Sequence, residues 1–282
     1  MIHVVTVHYL DDRWIGPQLR FLNRNLPRDR MIHGCLNGID PRWRGVFDHA
    51  FDLEGTHADK LNELARRVVV LGAAPEDLLL FLDGDAFPIV PVGPELLGGF
   101  PLAAVRRDEL MNDCQPHPCF CLTTVEFWTR IVGDWREGFE WPVAGGGTAT
   151  DVGGNLFGIL QREAIEWRPL VRTNRTNLDD LWFAIYGDVA YHHGAGFRVP
   201  KSRQMMATNR QEVLWAAAKA KTPAWVPGLG RLERSARYRL ADYRHRQHVS
   251  SLAETSRDVA DDVFRQIETN DEFYRQFQEP PK

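Results

Sequence analysis

Residues 78–82 read Leu-Leu-Leu-Phe-Leu, and the run stops at Asp83-Gly84-Asp85. A strand that is apolar on both faces has to be covered on both sides, the condition of a strand inside a parallel sheet packed between helices. The preceding sequence supplies partners for it. Ile2–Val7, Met31–Leu36 and His49–Leu53 carry β-branched or apolar strand patterns. Residues 15–25 and 58–70 carry helical spacing, the latter through Leu61, Leu64, Ala65 and Val68. Strands alternating with helices predict an α/β fold with a mostly parallel central sheet flanked by helices. Ligands in such sheets sit beyond the carboxyl ends of the strands, which directs attention to residues 6–9, 37–40 and 83–85.

Further along, residues 100–105 and 119–122 read as strands, and residues 124–132 and 151–160 as helices. Residues 144–150 form a glycine-rich loop, and 182–193 a hairpin around Gly187-Asp188. Pro223, Pro227 and Gly228 mark a break in character. The expected organisation is one domain over residues 1–210 and a C-terminal helical extension over 211–282. A chain of 282 residues, 44% hydrophobic and 26% charged, can bury a substantial core. With 34 basic and 38 acidic residues the net charge is −4, and no basic groove with interleaved aromatics is visible, so nucleic acid is not an expected partner. The N-terminus enters a strand directly and no apolar run approaches the about 18 residues of a membrane span, so a cytoplasmic protein is expected. The four cysteines form no Cys-X-X-Cys pair and read as reduced structural thiols rather than zinc ligands.

Asp83 and Asp85 follow a buried strand, separated by a glycine that permits a tight turn. Two carboxylates this close repel, and near a core they are costly unless a cation neutralises them. Oxygen ligands suit Mg²⁺ or Mn²⁺ bridged to substrate phosphates, while a simple Asp-Gly turn is the competing reading. A second candidate segment is Tyr191-His192-His193-Gly194-Ala195-Gly196-Phe197-Arg198. Strand alternation sends His192 and His193 to opposite faces, so one of them can join the metal. His193, which abuts the glycine turn, is favoured. Arg198, Lys201 and Arg203 follow and could neutralise a diphosphate, with solvated surface cations as the alternative.

Phe81-Leu82-Asp83-Gly84-Asp85 after an alternating sheet, together with the late His-His-Gly-X-Gly-X-Arg segment, resembles the GT-A class of nucleotide-sugar glycosyltransferases over residues 2–205. The resemblance implies a hexosyltransferase-like enzyme that moves a sugar from a nucleotide-diphosphate donor to a hydroxyl acceptor (saccharide, lipid-linked or small molecule) with Mn²⁺ or Mg²⁺. It implies Asp83 near the nucleotide ribose or metal, Asp85 as metal ligand and His193 completing the shell. Thr6, His8 and Tyr9 would cradle the base, and Lys60 and Asn62 would contact the nucleotide. Asp151, after the glycine-rich loop, would be the acceptor-side base of an inverting reaction. A helix N-cap is the other reading of Asp151, and Asp179-Asp180 is a second acidic pair. The Glu-Asp pair of many inverting members is absent, leaving the stereochemistry open.

Weaker features complete the reading. Phe127, Trp128, Trp135, Phe139 and Trp141 could stack on an acceptor or form aromatic core. The Arg-rich 231–246 stretch is the candidate for peripheral contact with the inner face of an anionic membrane, against a solvated helical face. A non-catalytic nucleotide-sugar binder is the main alternative function. A sugar-phosphate nucleotidyltransferase is disfavoured, because Val7-His8-Tyr9-Leu10-Asp11-Asp12 contains no glycine-rich phosphate loop.

Overall fold

The computed structural model describes residues 1–107, 113–142, 148–175, 183–194 and 260–278, with shorter helical pieces at 232–233, 235–237, 239–240, 243 and 258. In chain order the elements are β1 (Ile2–Tyr9), α1 (Ile15–Asn25), β2 (Arg30–Asn37), β3 (His49–Phe51), α2 (His57–Val70), β4 (Leu78–Asp83) and β5 (Ala86–Pro88). There follow β6 (Leu102–Val105), β7 (His117–Thr124), α3 (Val125–Arg130), β8 (Trp141–Pro142), β9 (Thr148–Ala149), α4 (Gly154–Arg162), β10 (Arg168–Leu170), β11 (Ala184–Tyr186) and β12 (Ala190–His192).

Seven strands form a central sheet in the order β10-β6-β7-β4-β1-β2-β3. β7 runs antiparallel to both its neighbours, β4 and β6, and every other neighbouring pair is parallel. The fold is therefore mixed α/β with a mostly parallel sheet, flanked by helices. Alternation along the strands builds the two sides. Val4, Leu80, Leu82 and Leu122 pack in one cluster with Ile15 and Leu22 of α1. Val5, Val7, Leu79, Phe81 and Cys121 pack in the other with Leu61, Leu64 and Val68 of α2, Trp128 of α3 and Leu156 of α4. The apolar run 78–82 feeds both clusters, which is why it carries no polar position.

A second, three-stranded sheet in the order β11-β12-β5 grows from the end of β4. Its hairpin turns at Gly187 and Asp188, both with positive φ, the geometry that favours such residues in a two-stranded ribbon. β12 pairs antiparallel with β5, placing His192 opposite Ala86 and Tyr191 opposite Phe87. β8 and β9 form a small separate ribbon.

The chain divides into two compact units, residues 1–197 with 266–282, and residues 198–265. Within the first, residues 270–278 return to α1 and the small sheet. Arg20 and Arg24 of α1 reach Asp271, Arg24 also meets Glu272, and Phe273 lies against Phe21, Phe87 and Tyr191. The described parts of the second unit are helical, with an i,i+4 pair between Glu233 and Arg237. No helix among the described residues is long and apolar enough to cross a membrane.

Candidate functional site

β1, β2 and β4 end together: Tyr9 pairs with Asn37, and Val7 with Asp83. Because β7 is antiparallel, its beginning at His117 lies at this same edge. The amino end of α2 arrives there too, fixed by a capping box in which Thr56 and Asp59 satisfy each other's backbone amides. One edge of the sheet thus collects Asp83, His57 and His117 from different elements.

The turn Asp83-Gly84-Asp85 leads straight from β4 into β5, so the register of the small sheet decides what faces the carboxylates. Asp83, Asp85 and His192 each bring a ligand atom within 4.8 Å of the others. His192 Nε2 is 3.4 Å from Asp83 Oδ2 and 3.5 Å from Asp85 Oδ1. His57 Nε2 meets the other oxygen of Asp83 at 2.8 Å. His193 goes elsewhere: its backbone N–H donates to the Asp85 carbonyl, its Nδ1 pairs with Tyr191 Oη at 2.7 Å, and its ring lies 4.5 Å from that of Trp14. The sequence expectation that favoured His193 over His192 is corrected here, since β12 turns His192 toward the carboxylates and His193 into the aromatic packing behind them.

The electrostatics of the cluster call for positive charge. Burial would raise the pKa of Asp83, but His57 and His192 outweigh it and hold the carboxyl well below its ordinary value. Burial likewise opposes charge on His192; the Cys119 thiol and the Asp85 and Asp83 carboxylates overcome it and raise the imidazole well above its usual range. Two carboxylates and one imidazole converging at a protein edge are a donor set that fits a divalent cation. The three residues would hold it, with His57 steering Asp83 from outside, as partners of metal ligands commonly do.

The remaining expected residues are distributed as follows. Thr6 and His8 are fully buried beneath the turn, both bonded to Gln18 Oε1. Tyr9 is 51% exposed at the strand end, with Lys60 Nζ 5.1 Å from its ring centroid. Asn62 is engaged elsewhere, donating to Asp134 and accepting from the Trp135 amide. Asp151 pairs with Arg107 at 2.9 Å, and Arg107 also holds Asp113 at 2.8 Å. Helix α4 begins later, capped by the backbone of Gly153 in a left-handed conformation, so Asp151 is not its N-cap. Arg198, Lys201, Arg203 and the Asp179-Asp180 pair lie outside the described residues, as does half of the 231–246 stretch. Phe81 packs on both Trp128 and Trp135, which are buried, so those two indoles are core.

Sequence reasoning did not find Gln18, His57 or Arg107. His57 announces itself only as the first residue after a capping threonine, and Gln18 looks like any polar position of an amphipathic helix. Their roles depend on contacts 65 and 26 residues away in sequence.

No family model and no curated protein matches this chain. Among solved structures, the chain is similar to a mannosyltransferase from Pyrobaculum calidifontis in complex with GDP-Man and Mn²⁺, at 13% identity, over 96% of this chain and 84% of that one, with a TM-score of 0.40. A likeness of this size assigns neither activity nor ligand to the chain.

Proposed function

We propose that this chain is a metal-dependent glycosyltransferase of the GT-A type, moving a sugar from a nucleotide-diphosphate donor to a hydroxyl acceptor. The observation that carries the reading is the convergence of Asp83, Asp85 and His192 at the carboxyl edge of a mostly parallel sheet. That edge is where open α/β sheets bind ligands, and a carboxylate-rich donor set suits Mg²⁺ or Mn²⁺ bridged to phosphates. When bound, such a cation would offset the charge that develops on a departing diphosphate.

The chain's own residues have separate tasks in this scheme. Asp83, Asp85 and His192 hold the cation, with His57 fixing one oxygen of Asp83. Tyr9, exposed at the strand end, offers a ring to the nucleotide, and the buried Lys60 lies against that ring. Asp151 is the candidate to accept the proton of the attacking hydroxyl. Its pairing with Arg107 holds the carboxylate in one orientation, and the same pairing favours a second reading. Both oxygens of Asp151 already have partners, Arg107 on one and the Val152 amide on the other, so a nucleotide-sugar-binding protein without turnover is the alternative.

Thermal-shift screening of common nucleotide sugars, with and without Mn²⁺, tests the reading directly. The expected result is a donor that stabilises the protein only when the metal is present, and an Asp85→Ala variant that shows no such shift. Release of nucleoside diphosphate from that donor by the parent protein separates the transferase from the binder. A full set of donors giving no metal-dependent shift would overturn both.

A further inference from the structure

The side chain of Gln18 is fully buried between β1, α1 and the turn after β4. Its Nε2 lies 2.8 Å from the carbonyl oxygen of Asp83 and 2.7 Å from that of Ala86. Carbonyls only accept, so both amide hydrogens point at the turn, and the orientation of the amide is fixed. Oε1 must then accept, from the Thr6 hydroxyl at 3.1 Å and from His8 Nε2 at 3.0 Å. All four hydrogen-bonding positions of the amide are in use. The same logic sets His8 as the tautomer protonated on Nε2, leaving its buried Nδ1 without a partner beneath Gly84.

The two carbonyls that Gln18 grips bracket the Asp83–Ala86 segment that carries both carboxylates. On the other side, the His193 amide holds the Asp85 carbonyl at 3.1 Å. The turn is therefore suspended between a side-chain amide below and β12 beside it. We infer that Gln18 is a positioning residue for the carboxylate pair: its amide fixes the turn, and through it the separation and direction of Asp83 and Asp85. The consequence for metal affinity rests on the function proposed above, whereas the consequence for the turn does not.

Gln18→Met keeps the length of the side chain and removes both donors. Asn25→Ala is the control, since Asn25 also lies buried on α1 and donates to a carbonyl of the same region, that of Pro88 at 2.8 Å, without touching the turn. Two readouts are needed, amide hydrogen exchange over residues 84–86 and Mn²⁺ affinity by titration. Gln18→Met should speed exchange over 84–86 and weaken Mn²⁺ by about 10–100-fold, the range typical of lost support to a metal ligand. Asn25→Ala should lower thermal stability and leave both readouts unchanged. Should Gln18→Met fail to fold, Thr6→Val, which removes one anchor of the amide, should move both in the same direction to a smaller extent. Exchange over 84–86 in the Gln18 or Thr6 variant that matches Asn25→Ala overturns the inference. If the parent protein takes up no Mn²⁺, the metal reading falls and the exchange measurement alone decides the role of Gln18.

Discussion

Two adjacent histidines separate the chemistry of the site from its support. His192 lies with the carboxylates, while His193 is pinned by Tyr191 and Trp14. His192→Ala is therefore expected to abolish Mn²⁺ uptake, and to destabilise the metal-free protein by leaving Asp83 and Asp85 without their imidazole partner. His193→Ala is expected to retain uptake while costing about 1–3 kcal/mol for a lost buried hydrogen bond and ring contact. Metal titration and chemical denaturation of the two variants check this, and the reverse pattern would return the ligand role to His193. Glycine 84 poses a related question of space. A Cβ there would sit 2.6 Å from the Val7 carbonyl oxygen and 2.8 Å from His8 Nδ1, one of them backbone and the other a buried ring bonded to Gln18. Neither can give way cheaply, so Gly84→Ala should destabilise by about 1–3 kcal/mol and disturb metal uptake. Gly16 in α1 has nothing within 4 Å of its added carbon, and Gly16→Ala should be neutral or slightly stabilising. Equal effects of the two substitutions on denaturation midpoint would show that the turn relaxes freely.

At the level of elements, what was legible followed from local pattern. The 78–82 run, the strand–helix alternation and the Gly187-Asp188 hairpin are each short-range signals, and each corresponds to an element in the fold. What was not legible depended on long-range register. Alternation told that His192 and His193 diverge, but only the pairing of β12 with β5 sets which one meets Asp85. Thr6 and His8 sit at the end of a strand that points to the ligand edge, yet the chain tucks Gln18 beneath the turn and they face inward. The carboxy-terminal segment is the clearest such case. Its ion pairs to Arg20 and Arg24 are partly exposed and contribute at most about 1 kcal/mol each. Phe273, 1% exposed among Phe21, Phe87 and Tyr191, dominates. Phe273→Ala should cost about 3–5 kcal/mol, whereas Arg24→Ala should cost no more than about 1 kcal/mol. Urea denaturation ranks the two, and an Arg24 effect as large as that of Phe273 would overturn the assignment of aromatic packing as the anchor.

Across the whole molecule, buried histidines set the response to acid. Burial lowers the pKa of His8 to about 4, partly opposed by its bond to Gln18. Burial, then the charges of His3 and His49, lowers His33 to about 4. Burial, then Arg13 and His192, lowers His193 to about 3. In the unfolded chain each would titrate near its ordinary value of about 6.5. As pH falls through 6.5 the unfolded state binds protons that the folded state refuses, so stability drops by about 1.4 kcal/mol per pH unit for each group. The loss continues until each group's folded pKa is passed. Glu63, held to about 2 chiefly by Arg66, and Asp134, held to about 2 against burial by Arg136, Asn155 and Asn62, add their losses only below about pH 4.5. His192 acts in the other window in metal-free protein: its raised pKa gives stability that is full below 6.5 and fades as pH rises. The first loss on acidification is thus a histidine effect. Burial, then the charge of Arg107, also holds His117 well below its ordinary value. Denaturation of metal-free protein between pH 6 and 5 should therefore show a slope approaching four protons, and His33→Phe, which leaves the His8, His117 and His193 environments alone, should remove one of them. A stability that stays level down to pH 4.5 would mean that these imidazoles accept their protons without unfolding the chain.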